Sequence, residues 1–513
     1  MFSHLLSAST IGVDAYLVEV EAHLDAGLPK FFIVGLPDIA VKESCHRVSA
    51  AIKNSGFKFP RGKVTVNLAP ADIRKEGSAY DLPIALGILV SSDQISQEVL
   101  QDFVFLGELA LDGSIRPVHG ALVIALEAKA RKKKGIILPL ENGGEAAMVD
   151  GLPVYPVRSL SEIVNLLNAG ISAAVPLSIE RTAIFDSDQH YSVDFADVKG
   201  QESVKRAMEV AAAGGHNLLL IGPPGSGKTM LAKRLSTILP PMTFDEAIET
   251  TKIHSVAGIL PGESALVSTR PFRSPHHTIS DSALVGGGST PRPGEISLSH
   301  HGVLFLDELP EFARNVLEVM RQPLEDGRVT ISRSKMSVEY PSNFMLVCAM
   351  NPCPCGNYGN ANQECSCTTL QIQKYVGKIS GPLLDRIDIH IEVPSVKYQE
   401  LSSKKSGEHS VQIRSRVVQA RDVQTRRFEG SRGLFSNADM QAKEIKEFCQ
   451  IDDSGANLLK TAMNHLGLSA RAYDRILKVS RTIADLSGSD HIRTEHLSEA
   501  IQYRSLDRSI YAL

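Results

Sequence analysis

The sequence has no apolar run of about 18 residues, the length that a transmembrane helix needs. Its opening, MFSHLLSASTIGVDAYLVEVEAH, also lacks the basic segment and the apolar segment of a secretory leader. We therefore expect a cytoplasmic protein that does not engage a membrane. In that compartment thiols stay reduced, so clustered cysteines favour a metal site over disulfides.

Tryptophan is absent, and the charges nearly balance, with 54 basic and 58 acidic residues. The formal net charge of -4 gives no overall attraction to nucleic acid, so binding of nucleic acid would depend on local basic segments. One such segment is Leu401–Gly430, which holds seven Lys and Arg residues against three acidic residues. This pattern is typical either of a DNA-binding patch or of a solvated helix face.

The chain of 513 residues is too long for one hydrophobic core, and we expect roughly two to four domains. Mixed strand and helix patterns predict an α+β domain at 1–168. Weak periodicity and turn-forming polar residues predict a linker at 169–194. A second α/β domain is predicted at 195–394, followed by a helical domain at 395–513. No repeat of about 20 to 50 residues is present, which excludes a solenoid.

The strongest signal is the stretch HNLLLIGPPGSGKTMLAKRLSTIL, in which the apolar run Leu218–Ile221 leads into a phosphate loop and then an amphipathic helix. The glycines of such a loop let backbone N–H groups approach phosphates. The lysine places a positive charge on the β and γ oxygens, and the hydroxyl that follows it can bind Mg²⁺. The sequence therefore predicts a nucleotide site at Gly222, Pro223, Pro224, Gly225, Ser226, Gly227, Lys228 and Thr229.

Two later strands are predicted to complete this site. GVLFLDELPEF ends in Asp307 and Glu308, and beside a phosphate loop these carboxylates are placed to hold Mg²⁺ and to activate the attacking water. NFMLVCAM ends in Asn351, whose amide could position that water or sense the γ-phosphate. The alternative for Asn351 is an ordinary turn former at a strand end.

Two arginines are candidates for stabilising charge on a transferred phosphoryl group. Arg386 lies just before a predicted strand, and Arg471 lies at the start of a predicted helix. From spacing alone, a surface ion pair is the favoured role for either residue.

Together these motifs resemble an AAA+ ATPase: phosphate loop, LDE strand, AMNP strand end, LLDRID and SARAYDR. The resemblance implies a multidomain α/β protein with an αβα phosphate-loop core and a C-terminal helical lid at 395–513. The segments RPFRSPHHTISDSALVGGG, PRPGEISLSHHGVLFLDELPEF and ISGPLLDRIDI resemble the Mg-chelatase-like ComM/YifB family over nearly all of the chain. The resemblance implies a cytosolic bacterial protein that forms an ATP-driven hexameric ring and moves branched DNA during natural transformation. It also implies that Asn351 is sensor 1, Arg386 the arginine finger and Arg471 sensor 2.

The same resemblance supplies candidates for DNA contact. The segment Asp281–Gly294 matches a helix-2 insert that projects into the pore, with Gly286, Gly287 and Gly288 giving it backbone freedom. GRVTISRSKMSVEYP predicts two short strands around Arg333 and Lys335, like a pre-sensor-1 hairpin. An ordinary glycine turn and a solvated hairpin tip are the alternatives. Because tryptophan is absent, we expect backbone tracking on single-stranded or branched DNA rather than base stacking.

Residues 70–140 resemble the proteolytic domain of Lon, a fold of the ribosomal S5 domain 2-like type, through KEGSAYDLPIALGIL and LGELALDGSIRPVHGALVIALEAKARKKKGIILP. A serine–lysine dyad needs a hydroxyl nucleophile and a nearby lysine. Here the nucleophile position falls on Ala79, and Ala-Leu-Val-Ile follows Gly120 where the lysine belongs. Ser78 lies one residue away without a matching lysine. We expect an inactive scaffold for ring assembly or DNA binding.

Four of the seven cysteines lie in the loop 352–368, as two Cys-x-Cys pairs. Thiolates are ligands that tetrahedral Zn²⁺ prefers, and four of them make a closed structural site. The intervening segment is almost free of apolar residues and would gain order from a metal. We expect structural zinc on Cys353, Cys355, Cys365 and Cys367, with redox-labile thiols or an unliganded loop as the alternatives.

Two other functions fit parts of the pattern. A magnesium-chelatase subunit would use an adhesion site of the form DxSxS, which Asp485-Leu-Ser-Gly-Ser489 matches formally, although it follows a helix-like run. A protein-remodelling or regulatory ATPase could use an inactive protease domain as a docking platform. Such a remodeller is expected to carry an aromatic pore loop, and the sequence shows none. Recombination proteins are expected partners of a DNA motor.

Overall fold

A computed structural model of the chain describes ten stretches: residues 2–96, 100–171, 174–180, 191–260, 265–288, 291–333, 336–359, 363–396, 407–431 and 433–506. The described residues form two compact units. The first comprises Met1–Asp188, Thr243–Ser268 and Ser332–Tyr340; the second comprises Gln189–Met242, Thr269–Ile331 and Pro341–Leu513. Within these stretches, no helix combines the length and apolar character that crossing a membrane requires.

The first unit is built on a mixed seven-stranded sheet. Its strands, in spatial order, are Lys30–Val34, Lys63–Ala69, Asp14–Asp25, Phe2–Ile11, Phe103–Phe105, Gly135–Pro139 and Val154–Val157. Phe2–Ile11 pairs antiparallel with Asp14–Asp25, whereas its partner on the other side, Phe103–Phe105, is parallel. Residues of Lys63–Ala69 alternate between buried and partly exposed, as expected for a strand with one face on the core.

Helices cover this sheet, and their apolar faces form the core of the first unit. They are Ile39–Asn54, Asp81–Ser91, Ala121–Ala130, Gly143–Ala147 and Leu160–Ala169, with a 3₁₀ turn at Leu140–Asn142. Asp81–Ser91 is buried along its whole length because its sequence, DLPIALGILVS, is apolar on every face. A small two-stranded sheet, Glu108–Leu109 with Ile115–Arg116, completes the unit.

Two segments from the predicted ATPase core group with this first unit rather than with the second. One contains the helix Phe244–Ala257, which packs on the helix Ala121–Ala130. A capping box formed by Thr243 and Glu246 lies at the start of Phe244–Ala257. The other contains most of the strand Met336–Pro341. Of the predicted linker at 169–194, residues 172–173 and 181–190 lie outside the described residues. The domain boundaries stay predictions.

The second unit contains a parallel five-stranded sheet. Its order is Phe272–Arg273, Val303–Leu306, Met345–Met350, Leu218–Ile221 and Ile389–Glu392. The three central strands are buried throughout and read as unbroken apolar runs, as parallel strands covered on both faces do. Because all five run the same way, their carboxyl ends lie at one edge, and the residues that follow them converge there.

Helices and short strands surround this sheet, so the α/β class predicted for this part of the chain is confirmed. The helices are Glu202–Gly214, Lys228–Ile238, Asp281–Val285, Glu295–Leu298, Arg314–Val319, Arg321–Asp326, Thr369–Val376 and Gly381–Leu384. Phe195–Asp197, Leu309–Glu311 and Asn437–Asp439 are 3₁₀ turns; Gly286–Gly287, Arg292–Pro293 and Arg328–Arg333 are short strands.

The C-terminal part of the second unit is helical, as its sequence pattern predicts. Its helices are Ser410–Arg427, Ala442–Phe448, Asp453–Leu466, Ala470–Leu486 and Thr494–Gln502. Ser469 caps the fourth helix by accepting a hydrogen bond from the backbone N–H of Ala472. The helices share one buried apolar cluster with the parallel sheet, so this helical part has no separate core.

Candidate nucleotide site and metal centre

The phosphate loop connects the end of Leu218–Ile221 to the start of the Lys228–Ile238 helix. Gly227 has φ +88°, a left-handed conformation that glycine adopts without strain, and it turns the chain into the helix. The Lys228 amine donates to the carbonyl oxygens of Gly222 at 2.8 Å and Pro223 at 2.9 Å. The loop therefore already holds the lysine side chain over its own backbone.

The amide of Asn351 is the third partner of Lys228, with 3.1 Å between Lys228 Nζ and Asn351 Oδ1. Burial lowers the pKa of Lys228, and the charges of Asp307 and Glu308 oppose that shift. The amine is thus a partly buried cation with several nearby oxygens. A phosphate chain entering the loop would be an additional anionic partner for it.

Thr229 and Asp307 provide two oxygen ligands of the kind that Mg²⁺ binds. The Thr229 hydroxyl donates to Asp307 Oδ2 at 2.6 Å, and Asp307 Oδ1 accepts from the backbone N–H of Glu308 at 2.9 Å. In phosphate-loop ATPases a hydroxyl and a carboxylate at these positions hold the metal together with the β and γ phosphates. The residues present fit Mg-ATP, which would supply the phosphoryl group and the charge-neutralising ion.

Glu308 is held in an unusual conformation beside that pair. Its φ of 54° and ψ of 47° are left-handed, which is uncommon for a residue other than glycine. Its side chain is 59% exposed, and Oε2 lies 3.6 Å from Nδ1 of His277. The His277 ring packs against His276 and edge-on to Phe312. The structure thus places the predicted base at the solvent side of the site with an imidazole next to it.

His277 was not singled out by the sequence analysis, although the Pro-His-His run lies inside one of the segments that resemble the family. A histidine after a short strand has no motif of its own. Only the packing of residues 272–277 beside the Asp307–Glu308 turn brings it to the site.

The two predicted arginines lie in a different environment from Lys228. Arg386 is buried, with Nη2 paired to Glu325 and Nη1 donating to the Pro382 carbonyl oxygen at 2.6 Å. Arg471 is exposed at the start of the Ala470–Leu486 helix. Burial lowers the pKa of Arg386, and the positive charge of Arg471 contributes to that lowering. The contacts described for Arg386 do not include Lys228, Thr229 or Asp307.

Comparison with protein families covers the chain in three parts. Residues 194–401 match the model of magnesium chelatase, subunit ChlI, and residues 407–504 match the model of its C-terminal region. Residues 20–142 match a further model, subunit ChlI of Mg-chelatase.

Individual relatives extend over the full length. The competence protein ComM of Haemophilus influenzae is 46% identical over 510 residues, covering 99% of this chain and 98% of that protein. The uncharacterized protein YifB of Escherichia coli is 44% identical, and the alignment covers 98% of this chain and 97% of that protein. The chain belongs to the ComM/YifB family. This Mg-chelatase-like AAA+ family implies an ATPase that uses ATP and Mg²⁺.

More distant similarity reaches true chelatase subunits. The magnesium-chelatase 38 kDa subunit of Rhodobacter capsulatus is 22% identical, covering 59% of this chain and 84% of that protein. The full-length identity to ComM and YifB is about twice as high. Among these relatives, the chain is therefore far more similar to ComM and YifB than to the chelatase subunit.

The four cysteines of the 352–368 loop come together in space. Their sulfur atoms all lie within 4.8 Å of one another, with 3.3 Å between Cys353 and Cys355, 3.7 Å between Cys353 and Cys365, and 3.5 Å between Cys355 and Cys365. A tetrahedral zinc with Zn–S bonds of about 2.3 Å separates its sulfurs by roughly 3.8 Å. The set therefore fits a zinc ion.

Backbone N–H groups support these sulfurs. Cys355 N donates to Cys367 Sγ at 3.4 Å, and Tyr358 N donates to Cys353 Sγ at 3.3 Å. Donors of this kind favour the thiolate form that metal binding requires, and they orient the ligands. Residues 360–362, at the tip of the loop, lie outside the described residues.

The structure describes only part of the predicted DNA-contact set. Gly286 and Gly287 form a short strand antiparallel to Arg292–Pro293, and Gly288 follows with φ +102°. Both strands predicted around Arg333 are present, as Arg328–Arg333 and Met336–Pro341. Lys335 and the side chain of Arg333 lie outside the described residues. The DNA contacts stay predictions.

The basic segment Leu401–Gly430 is not a free basic face where the structure describes it. Arg416 bridges Glu209 and Glu408, and Arg427 pairs with Asp485. Arg414 and Arg421 donate to backbone carbonyls, of Leu239 and of Ala212 and Ala213. Lys404 and Lys405 lie outside the described residues. These four arginines tie the Ser410–Arg427 helix to its own unit, whereas Arg426 is exposed. Binding of DNA by this segment stays a prediction.

The positions matched to the Lon dyad do not form one. Ser78 Oγ donates to the Glu108 carboxylate, and Glu108 pairs with Arg116. The nearby lysine, Lys75, is buried and donates to the carbonyl oxygens of Pro70 and Ile73. The first turn after Gly120 is buried and apolar. Among its described contacts, Ser78 thus has a carboxylate rather than a lysine as its partner.

The formal DxSxS match has a structural role instead. Asp485 lies in the Ala470–Leu486 helix with a fully buried side chain, where it accepts from Arg427, Arg481 and Asn437. A carboxylate with these partners is not open to a metal ion in an adhesion site. This removes the sequence feature that most favoured a chelatase subunit.

Proposed function

We propose that this chain is an ATP-driven DNA motor, a helicase that migrates branches in recombination intermediates during natural transformation. The observation that carries the proposal is the convergence of Lys228, Thr229, Asp307, Glu308 and Asn351 at one edge of the parallel sheet. The similarity over full length to a protein named as a competence protein supplies the biological setting.

The nucleotide-site residues have distinct roles in the proposed reaction. Lys228 binds the β and γ phosphates, Thr229 and Asp307 hold Mg²⁺, and Glu308 orients and deprotonates the attacking water. Asn351, already in contact with Lys228, reports whether the γ-phosphate is present. Hydrolysis then changes the positions of the DNA-contacting loops at Gly286–Gly288 and at Arg333 and Lys335.

The proposal includes a homohexameric ring. The described partners of Arg386, Glu325 and the Pro382 carbonyl, do not belong to the Lys228 cluster, so a role for Arg386 in hydrolysis requires the nucleotide of another copy. An arginine supplied by a neighbouring copy makes hydrolysis depend on assembly. Mixing Arg386→Ala with Lys228→Ala tests this arrangement. Hydrolysis should reappear at interfaces that pair an intact Lys228 with an intact Arg386, and mixtures without recovery would contradict it.

The remaining parts serve the motor. The Lon-like N-terminal domain acts as a scaffold for ring assembly or DNA binding, and zinc on the four cysteines orders the 352–368 loop. The proposed partners are single-stranded and branched DNA and recombination proteins, and the proposed location is the cytoplasm.

The direct test is ATP-dependent resolution of a labelled three-stranded branched DNA, with Lys228→Ala as the control. The wild-type protein should resolve the branch, and the variant should not. Wild-type protein that hydrolyses ATP without resolving the branch would contradict the motor. A protein-remodelling or regulatory ATPase would then be the better description, with the N-terminal domain as its docking platform.

A further inference from the structure

A pocket of about 490 Å³ opens on the second unit around Arg386. Residues of the helices Arg314–Val319 and Arg321–Asp326 form much of its wall. The full lining is Val285, Glu318, Val319, Arg321, Gln322, Glu325, Thr330 and Arg386. None of these residues belongs to the phosphate loop or to the Asp307–Glu308 turn. The pocket is therefore separate from the nucleotide site that the same copy carries.

The charged groups in this pocket are arranged around Arg386. Its Nη2 pairs with Glu325, while its Nε is buried and has no hydrogen-bond partner. Arg321 Nη1 pairs with Glu318 Oε2 at 2.7 Å. The positive charges of Arg321 and Arg471 both act on Arg386. Two guanidinium groups, those of Arg321 and Arg386, thus line the pocket together with the carboxylates of Glu318 and Glu325, and the exposed Arg471 lies outside this lining.

The Arg386–Glu325 pair is uneven in exposure. The arginine side chain is 5% exposed, whereas the glutamate side chain is 49% exposed. The buried cation requires an anion, because an unpaired buried charge is costly. The half-exposed carboxylate itself is hydrated once it leaves, so the cost of separating the pair falls on the buried arginine unless another anion takes the place of Glu325. Another anion could therefore replace Glu325 without moving the arginine.

We propose that Arg321, Arg386 and Arg471 form one anion-binding face for the triphosphate held by a neighbouring copy, and that Glu325 occupies this face in the free chain. This rests on the proposed ring ATPase and adds two residues to it. Arg321 becomes a third arginine of the interface. Glu325 takes the place that a phosphate group would occupy. It stays paired with Arg386 until the nucleotide bound by a neighbouring copy replaces it.

The consequence is a competition between Glu325 and the neighbour's nucleotide. Removing the negative charge of Glu325 should favour assembly. The free energy of assembly should become more favourable by about the energy of the Arg386–Glu325 ion pair. An ion pair with one exposed partner is worth roughly 0.2–1 kcal/mol, which corresponds to a shift of about 1.4- to five-fold in concentration.

The test uses Glu325→Gln in the full chain, with Asp326→Asn as the control. Asp326 is the exposed neighbour of Glu325 and loses the same charge in its variant. ATPase activity per chain is measured against protein concentration, and assembly is measured by sedimentation with a non-hydrolysable ATP analogue. We expect the midpoint of both curves to fall about 1.4- to five-fold for Glu325→Gln and to stay unchanged for Asp326→Asn.

Other outcomes separate the two proposals. Wild-type hydrolysis that rises with concentration, together with unchanged Glu325→Gln midpoints, would overturn the Glu325 role alone. If the wild-type protein shows no ATP hydrolysis, or if its activity per chain does not depend on protein concentration, the proposed ring and this inference are both contradicted. Thermal unfolding of both variants shows whether a lower activity comes from loss of folded protein.

Arg321 is tested with Arg321→Gln and Arg321→Lys. We expect Arg321→Gln to lower the turnover number at saturating protein, to leave fluorescent-ATP binding unchanged, and to regain activity when mixed with Lys228→Ala. Arg321→Lys should restore part of the turnover because it keeps the charge. Equal loss in both variants, without recovery in the mixture, would assign Arg321 a structural role only.

Discussion

Thr229 and Asp307 are 78 residues apart in the sequence, and 2.6 Å separates the Thr229 hydroxyl from a carboxylate oxygen of Asp307. The pair forms because Leu218–Ile221 and Val303–Leu306 flank the same central strand, Met345–Met350, and all three run parallel. The residues after the outer two strands therefore face each other across the end of the middle one. This places two candidate Mg²⁺ ligands next to each other.

Thr229→Val should weaken Mg-ATP use without changing the fold. The methyl group replaces the hydroxyl, so one oxygen ligand and the hydrogen bond to Asp307 are both lost. We expect a loss of about 10- to 100-fold in kcat/KM, the range found for supporting residues of metal sites. Steady-state ATPase assays at several Mg²⁺ concentrations measure it. The matched control is Ser236→Ala, an exposed hydroxyl at the other end of the same helix, and an equal loss there would contradict the assignment.

Glu308→Gln should keep ATP binding and abolish turnover. The amide preserves the shape of the side chain but cannot accept the proton of the attacking water. General-base catalysis is typically worth about 10²- to 10⁴-fold, so we expect kcat to fall at least 100-fold. Fluorescent-ATP binding and phosphate release are measured on the same sample. Turnover near the wild-type level would move the base to another residue.

His277→Ala should lower turnover less than Glu308→Gln does. The imidazole lies 3.6 Å from Glu308 and restricts where the carboxylate can point, so its loss leaves the base present but less ordered. We expect kcat to fall by roughly ten-fold with KM unchanged. The control is His276→Ala, whose ring packs on His277 and whose Nδ1 is 2.9 Å from Thr278 rather than near Glu308. Similar losses in both variants would point to packing instead.

The strand, loop and helix that carry the candidate nucleotide site could be predicted from the sequence, because they are local patterns. The apolar run Leu218–Ile221 is a strand with the predicted bounds, and Arg471 opens a helix as expected. The pairing of Arg386 with Glu325 could not be predicted, since no local pattern links the end of one helix to a turn 61 residues away. The grouping of Phe244–Ala257 with the N-terminal unit is likewise a product of tertiary packing.

The basic segment shows a second limit of sequence reasoning. A helix rich in arginine has the same composition whether its charges face solvent, DNA or neighbouring carboxylates. The partners of Arg416 and Arg427 lie far away in the sequence, at Glu209 and Asp485. Their identity depends on how helices pack, which periodicity does not specify.

The cysteine cluster predicts about one zinc per chain. Metal analysis of freshly prepared, reduced protein should find it, and Cys353→Ser should lose most of it because the buried Cys353 sulfur is central to the set. Cys45→Ser is the control, since Cys45 lies in the first unit and outside the cluster. Wild-type protein without zinc, or zinc retained at full occupancy in Cys353→Ser, would contradict the site.

Glu145 provides a pH-dependent test of packing inside the first unit. Its carboxylate accepts from Leu122 N at 2.9 Å and from the Ser255 hydroxyl, which joins the Gly143–Ala147 helix to Phe244–Ala257. Burial raises the pKa of Glu145, although these donors oppose the shift. A raised pKa in the folded state means that the protonated form is favoured. The contribution of Glu145 to stability is therefore fully present below its unfolded pKa, about 4.3, and is lost as pH rises through the folded value.

Comparison with Glu145→Gln isolates this effect, because glutamine stays neutral at every pH. We expect the urea midpoint of the wild type, relative to Glu145→Gln, to rise as the pH is lowered from 7.5 to 5. Circular dichroism is the appropriate probe, since the chain has no tryptophan. Glu141→Gln, an exposed position in the adjacent 3₁₀ turn, should show a smaller pH dependence. A wild type that loses stability relative to Glu145→Gln on acidification would show that the donors from Leu122 and Ser255 outweigh burial and keep the carboxylate charged.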